Sequence, residues 1–166
     1  MGPLPAYTCH RAQSPIRIDG RLDERAWVQA EPVSLLTADS GERTRQATMV
    51  RLLWDDAFLY VGFECQDEDI WGVTEERDQD IYEQEVVEVF VDAACCGTAY
   101  VEIEVSPLNA VLDLFMLCRD GRRRGLRDWD SAGLCTAVAV DGDPWQRGTA
   151  DRSWTVEIAL PMVDLE

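Results

Sequence analysis

The segment Ile81-Tyr82-Glu83-Gln84-Glu85-Val86-Val87-Glu88-Val89-Phe90-Val91-Asp92 sets an aromatic and a charged turn ahead of a strand. The non-valine face of that strand carries Glu88 and Asp92 beside Phe90. Carboxylates on a sheet face accept hydrogen bonds from sugar hydroxyls two at a time, and a nearby ring stacks on the apolar face of a pyranose. The outer face of an antiparallel sheet is also where charges ordinarily meet solvent, so periodicity alone leaves both uses open. Glu88, Glu102 and Glu104 can approach on neighbouring strands closely enough for the two-carboxylate chemistry of glycoside hydrolysis, which operates across about 5 to 10 Å. With 32 acidic residues, such pairs also arise by chance. Acid clusters can equally hold calcium, which takes six to eight oxygens, but no D-x-D-x-D-G loop is present.

Other chemistries lack their parts. The single histidine, His10, stands next to Cys9 near the start of the chain, and no G-x-S-x-G, P-loop or G-x-G-x-x-G occurs. The six cysteines (Cys9, Cys65, Cys95, Cys96, Cys118, Cys135) contain no C-x-x-C pair, which argues against a zinc or iron–sulfur site. Cys65, Cys118 and Cys135 fall within apolar runs and are expected to be buried, unpaired thiols; Cys95-Cys96 falls in a turn. A reducing, cytoplasmic setting is the corresponding expectation, and no signal peptide is visible in Met1–His10. Of the six tryptophans, Trp27 and Trp154 read as core. Trp71, Trp129 and Trp145 lie in or beside loops, where an aromatic either plugs local packing or binds a ligand.

These residues need a scaffold, and the chain supplies one of strands. Period-two alternation recurs over Ala47–Trp54, Phe58–Asp67, Glu85–Asp92, Tyr100–Ser106, Asn109–Leu117, Leu134–Val140 and Ser153–Leu160. Asp55-Asp56-Ala57 joins the first two as a hairpin turn. Helical patterning is confined to one or two turns over Leu22–Ala30, capped by Asp19 or Asp23, and a start at Asp164. Arg119–Ser131 reads as a long loop. The expected fold is therefore an all-β antiparallel sandwich of the jelly-roll or immunoglobulin-like kind. Residues 1–15 read as an N-terminal extension and 16–166 as one domain. No apolar stretch approaches the ~18 residues of a membrane span. The net charge of −17, with all fifteen basic residues arginine, argues against nucleic acid and anionic membranes. It suits neutral ligands or cations, or serves solubility alone.

Several motifs in order resemble one family. Ile18-Asp19-Gly20-Arg21-Leu22-Asp23-Glu24-Arg25-Ala26-Trp27 looks like the I-D-G-x-L-D-E-x-A-W opening of family 9-type carbohydrate-binding modules. Val50-Arg51-Leu52-Leu53-Trp54-Asp55-Asp56 with Leu59-Tyr60-Val61 resembles their W-D-D-x-x-L-Y-V hairpin. Asp67-Glu68-Asp69-Ile70, the Glu85–Asp92 strand, Tyr100–Pro107 and Trp154–Pro161 follow in the family's order. The resemblance implies a non-catalytic β-sandwich that recognises poly- or oligosaccharides beside glycoside hydrolases, with structural calcium. The alternative is a glycoside hydrolase acting through paired carboxylates. Carried over by the resemblance, one clamp aromatic falls on Tyr82 and the acid on Glu88. The family's Arg and Asn positions fall on Glu104 and Ser106, and Trp71 joins these as a candidate ligand residue. The family ordinarily continues into further strands, so either the chain is a shortened member or the sequence is a piece that stops before them.

Overall fold

A computed structural model describes residues 5–166 of the protein. Ten strands form two sheets. Sheet one has the order β1-β3-β4-β10-β9, with β2 also pairing β3, and sheet two runs β5-β6-β7-β8. The strands are β1 (His10–Arg11), β2 (Val33–Ser34), β3 (Thr48–Trp54), β4 (Phe58–Gln66), β5 (Val87–Val91), β6 (Ala99–Val105), β7 (Val111–Arg119), β8 (Arg122–Leu126), β9 (Cys135–Asp141) and β10 (Ser153–Pro161). All pairs are antiparallel except β1 with β3. The expected sandwich is the observed fold. His10–Arg11, within the expected extension, adds a short strand to sheet one through pairing with Leu53 and Trp54.

Alternation decides what each sheet buries. Val61, Phe63 and Cys65 of β4 and Val156, Ile158 and Leu160 of β10 face Val87 of β5 and Val101, Ile103 and Val105 of β6 in one core. Each such side chain is worth about 1.5–3 kcal/mol on full burial. The opposite face of sheet one is covered by the N-terminal segment, where Ala26 and Trp27 pack with Leu53, Tyr60 and Ala159.

The motif residues now have physical reasons. Asp55 accepts from the backbone N–H of Ala57 (2.8 Å) and Phe58 (2.9 Å), closing the β3–β4 turn, and from the Tyr60 hydroxyl at 2.8 Å. The fully buried Glu157 of β10 accepts from Asp19 N (2.8 Å), Gly20 N (2.9 Å) and Trp27 Nε1 (3.0 Å). The first and last motifs of the chain thus meet in one polar knot. Gly20 is obligatory there: its φ is +85°, and a Cβ would stand 2.6 Å from the carbonyl carbon of Val138.

Three expectations are corrected. The short helical turn expected over Leu22–Ala30 is a 3-10 turn over Arg25–Gln29, but its N-cap is Glu24, which makes no side-chain cap hydrogen bond, rather than Asp19 or Asp23. Arg119–Ser131 is not a loop throughout: it contains β8, joined to β7 by Asp120-Gly121, both with positive φ, the dipeptide of a tight hairpin. Among the cysteines expected to be buried, Cys65 is, Cys118 is half-buried and Cys135 is exposed, since β9 is an edge strand with little to cover it. All six thiols are free. Trp27 and Trp154 lie in the core, as expected.

Candidate functional site

The outer face of sheet two carries the carboxylates. Register places Glu88 of β5 directly opposite Glu104 of β6, and Phe90 opposite Glu102. On its other side, Glu104 faces Leu112 and Glu102 faces Leu114 of β7. Tyr100, two residues before Glu102, meets Phe90 edge-on with ring centroids 5.9 Å apart. Like charges opposed across strands repel. Glu104 is only 2% exposed, and its Oε2 has no hydrogen-bond partner. Burial, reinforced by Glu88 and by Glu102, pushes its carboxyl up to about 8, against the pull of Arg127. Burial and then Glu102 also raise Glu88. Glu104 therefore holds its proton to a pH at which an ordinary carboxylate has released it. Asp92, on the same strand face in the sequence reading, is committed elsewhere: it accepts from Cys96 N (3.1 Å) and Gly97 N (2.6 Å) in the β5–β6 turn.

Tyr82 stands at one margin of this face. It belongs to a 3-10 turn, Ile81–Glu83, whose fully buried Ile81 packs on Ala110, Leu112 and Leu114 and so fixes the turn against β7. The ring itself is 49% exposed. Burial and a hydrogen bond with Asp80 raise its hydroxyl pKa. Asp80 is ion-paired with Arg127, which also donates to the Asp78 carbonyl at 3.2 Å. Arg127 is near enough to lower both Tyr82 and Glu104. Tyr82, Asp80, Arg127, Glu104 and Glu88 thus form a continuous polar margin. Here the guanidinium comes from the residue just after β8 instead of from β6. Sequence reading grouped Glu102 with Glu88 and Glu104 but missed Arg127 and Asp80 as members, and the Asp120-Gly121 hairpin signal was the means of finding the first.

The other two candidates lie apart. Ser106 is fully buried, and its Oγ accepts from Ala110 N at 3.2 Å, so the hydroxyl serves the turn between β6 and β7. Trp71 joins a second cluster, where its backbone N–H donates to Glu85 Oε2 at 3.1 Å and the Arg147 guanidinium lies 4.7 Å over its ring. Arg147 is held by Asp69 at 2.5 Å. Burial, with Asp67 alongside, pushes Glu85 up to about 7.

One acidic trio is a candidate cation site. Ligating oxygens of Asp78, Asp113 and Asp130 lie within 4.8 Å of one another, the only such group among the described residues. Arg77 occupies their midst, 2.6 Å from Asp113, 3.5 Å from Asp130 and 3.9 Å from Asp78. Asp113 spends its other oxygen on Ser131 N at 2.7 Å. The Arg77 guanidinium already offsets part of this charge, and three carboxylates fall short of calcium's oxygen shell. The trio does not fit the ion.

An 85-residue segment is 36% identical to endo-1,4-beta-xylanase A of Thermoanaerobacterium saccharolyticum, covering 51% of this chain and 7% of that enzyme. Among solved structures, the fold matches a putative carbohydrate-binding protein from Bacteroides uniformis with a TM-score of 0.72 at 12% identity, over 95% of this chain and 72% of the other. A family 9 carbohydrate-binding module from Caldicellulosiruptor kristjanssonii, solved with glucose, matches with a TM-score of 0.60 at 19% identity, over 92% and 67%. The same kind of module with cellotriose gives 0.58. The profile of one family, described as carbohydrate family 9 binding domain-like, matches residues 18–112, more than half of the sequence. From the Asp19-Gly20 knot through the opposed glutamates to Leu112, the chain belongs to the carbohydrate family 9 binding domain-like family.

Proposed function

We propose that this domain is a non-catalytic carbohydrate-binding module, accessory to a glycoside hydrolase, that holds an oligosaccharide on the outer face of sheet two. The observation that carries the reading is the half-exposed Tyr82 ring near Arg127, a guanidinium that also acts on Glu104 of the opposed Glu88–Glu104 pair. A pyranose stacked on Tyr82 presents its hydroxyls to Glu88 as acceptor, and to Arg127 as donor. Glu102 and Phe90 continue the face along β5 and β6. Family membership supports this, as does the likeness to a module solved with glucose and with cellotriose. The xylanase relative supports the accessory role.

Stacking and charge-assisted hydrogen bonds contribute about 1–3 kcal/mol each, so Tyr82→Ala and Glu88→Gln are each expected to weaken binding roughly five- to a hundredfold. Titration calorimetry with cello- and xylo-oligosaccharides measures this, and unchanged affinity in both variants removes the site. A hydrolase reading draws on Glu104, whose raised carboxyl has the protonation of a general acid. Turnover of an aryl glycoside, abolished by Glu88→Gln, decides for that reading.

A further inference from the structure

The hairpin of β7 and β8 carries a second feature, distinct from the Tyr82 face. Nine of the fifteen arginines pair with an acid. Of the remaining six, three are consecutive: Arg122, Arg123 and Arg124 of β8. In a chain of net charge −17, three adjacent guanidiniums without an acid partner among the described residues are a local reversal of sign. Asp120, 3.8 Å from Arg119 and almost fully exposed, is the one acid at the turn.

Register fixes how these groups are presented. Ala99, Leu117 and Arg124 lie side by side across β6, β7 and β8, and Arg119 is opposite Arg122 in the next row outward. They share the face of Phe115, which packs on the core, so the hairpin extends the inner face of sheet two past its cover. The result is an open groove of about 1170 Å³, with Leu117, 40% exposed, as an apolar floor. Opposed residues stand roughly 5 Å apart and same-face neighbours on one strand roughly 6.8 Å. Arg119 and Arg122 can therefore grip one carboxylate from two sides while Arg124 reaches the adjoining sugar. Edge strands often carry like charges to deter strand pairing. That purpose requires neither a floor nor an opposed pair.

We propose that this groove binds a carboxylated sugar: an isolated uronic acid unit on an otherwise neutral glycan, its carboxylate clamped by Arg119 and Arg122 and its ring lying on Leu117. Guanidinium forks match carboxylate geometry, and the apolar floor suits the C–H face of a pyranose. The charge of the whole domain selects for sparse anions. A nucleic acid strand, with one charge about every 3.4 Å, meets the acidic surface as soon as it leaves the hairpin. A neutral glycan with scattered acids does not. The site goes beyond the Tyr82 reading and fails independently of it.

The test compares a xylo-oligosaccharide bearing one glucuronic acid with its carboxyl-reduced counterpart, by calorimetry at two salt concentrations. The acidic form is expected to bind about tenfold or more tightly, with the advantage falling as salt rises. The double substitution Arg122→Gln/Arg124→Gln is expected to erase the advantage, and Tyr82→Ala to preserve it. Equal binding of the two sugars overturns the inference and leaves the Tyr82 site standing. No binding of either sugar overturns both. An advantage that survives the double substitution places the acid elsewhere and overturns the groove. Two further outcomes also overturn it: equally tight binding of an oligothymidylate, or a concentration-dependent dimer in sedimentation that the double substitution dissolves, since a second copy would then fill the groove.

Discussion

Replacing Glu104 by glutamine should make the protein more stable at alkaline pH and leave it unchanged in acid. Glu104 is buried, one of its oxygens is without a partner, and Glu88 stands directly opposite. Its carboxyl titrates at about 8 in the folded protein against an ordinary 4.5. A folded-state value above the unfolded one means that the folded protein holds the proton more tightly. Stability therefore falls as pH rises from about 4.5 to about 8 and stays low above that. Moving one carboxyl over that interval corresponds to roughly 5 kcal/mol at about 1.36 kcal/mol per pH unit. Glu88 and Glu102 share the repulsion, which leaves about 1–3 kcal/mol to Glu104 itself, the usual cost of an unsatisfied buried polar group. Glutamine keeps the shape, carries no charge and donates an N–H toward Glu88 or Glu102. Scanning calorimetry between pH 4.5 and 8.5 should show a Tm gain of about 2–10 °C at the alkaline end that vanishes near pH 4.5. A variant that is less stable at pH 8, or whose gain does not vary with pH, refutes the reasoning.

Glu157→Ala strands three donors, the buried ones on Gly20 and Trp27 and the part-buried one on Asp19, and should cost about 3–5 kcal/mol, read as a fall of roughly 1–3 M in the urea midpoint. Gly20→Ala forces a Cβ into the Val138 backbone at positive φ and should cost at least about 2 kcal/mol by the same assay. In thiol titration of the folded protein, the exposed Cys95, Cys96 and Cys135 should react first. Cys65, whose thiol burial pushes up to about 12, should react only on unfolding.

Alternation and turn chemistry carried most of the fold. Each strand read from the sequence lies within a few residues of an observed one, because inward Val, Ile and Phe at period two have one way to bury themselves. Asp55-Asp56-Ala57 was legible because an Asx turn is local. β8 was missed because Arg122–Leu126 has no apolar alternation: its outer positions meet solvent and its inner arginines line a groove, so only Asp120-Gly121 marked the hairpin. Motif position drew attention to Tyr82 and Glu88 but not to Arg127, since its place near Glu104 depends on how β8 folds back. Ser106 could not be told from a ligand residue, because the turn that takes its hydroxyl depends on Asn109 adopting a φ of +58°. Cys135 was misjudged because an apolar run says nothing about which strand lies at an edge.

The central place of β10 bears on the order in which the protein can be made. β10 lies between β4 and β9, and its Glu157 receives the N–H groups of a segment some 130 residues earlier. The Asp19–Trp27 segment leaves the ribosome early but has no acceptor until β10 is synthesised. Until then β4 exposes an unpaired edge, and the apolar side chains destined for both sheets lack their cover. Pairings this distant in sequence are slow to form, and the waiting intermediate is prone to aggregate. Ribosome-bound chains ending before Ser153 should therefore remain protease-sensitive throughout, with protection arriving in one step once Pro161 has cleared the exit tunnel.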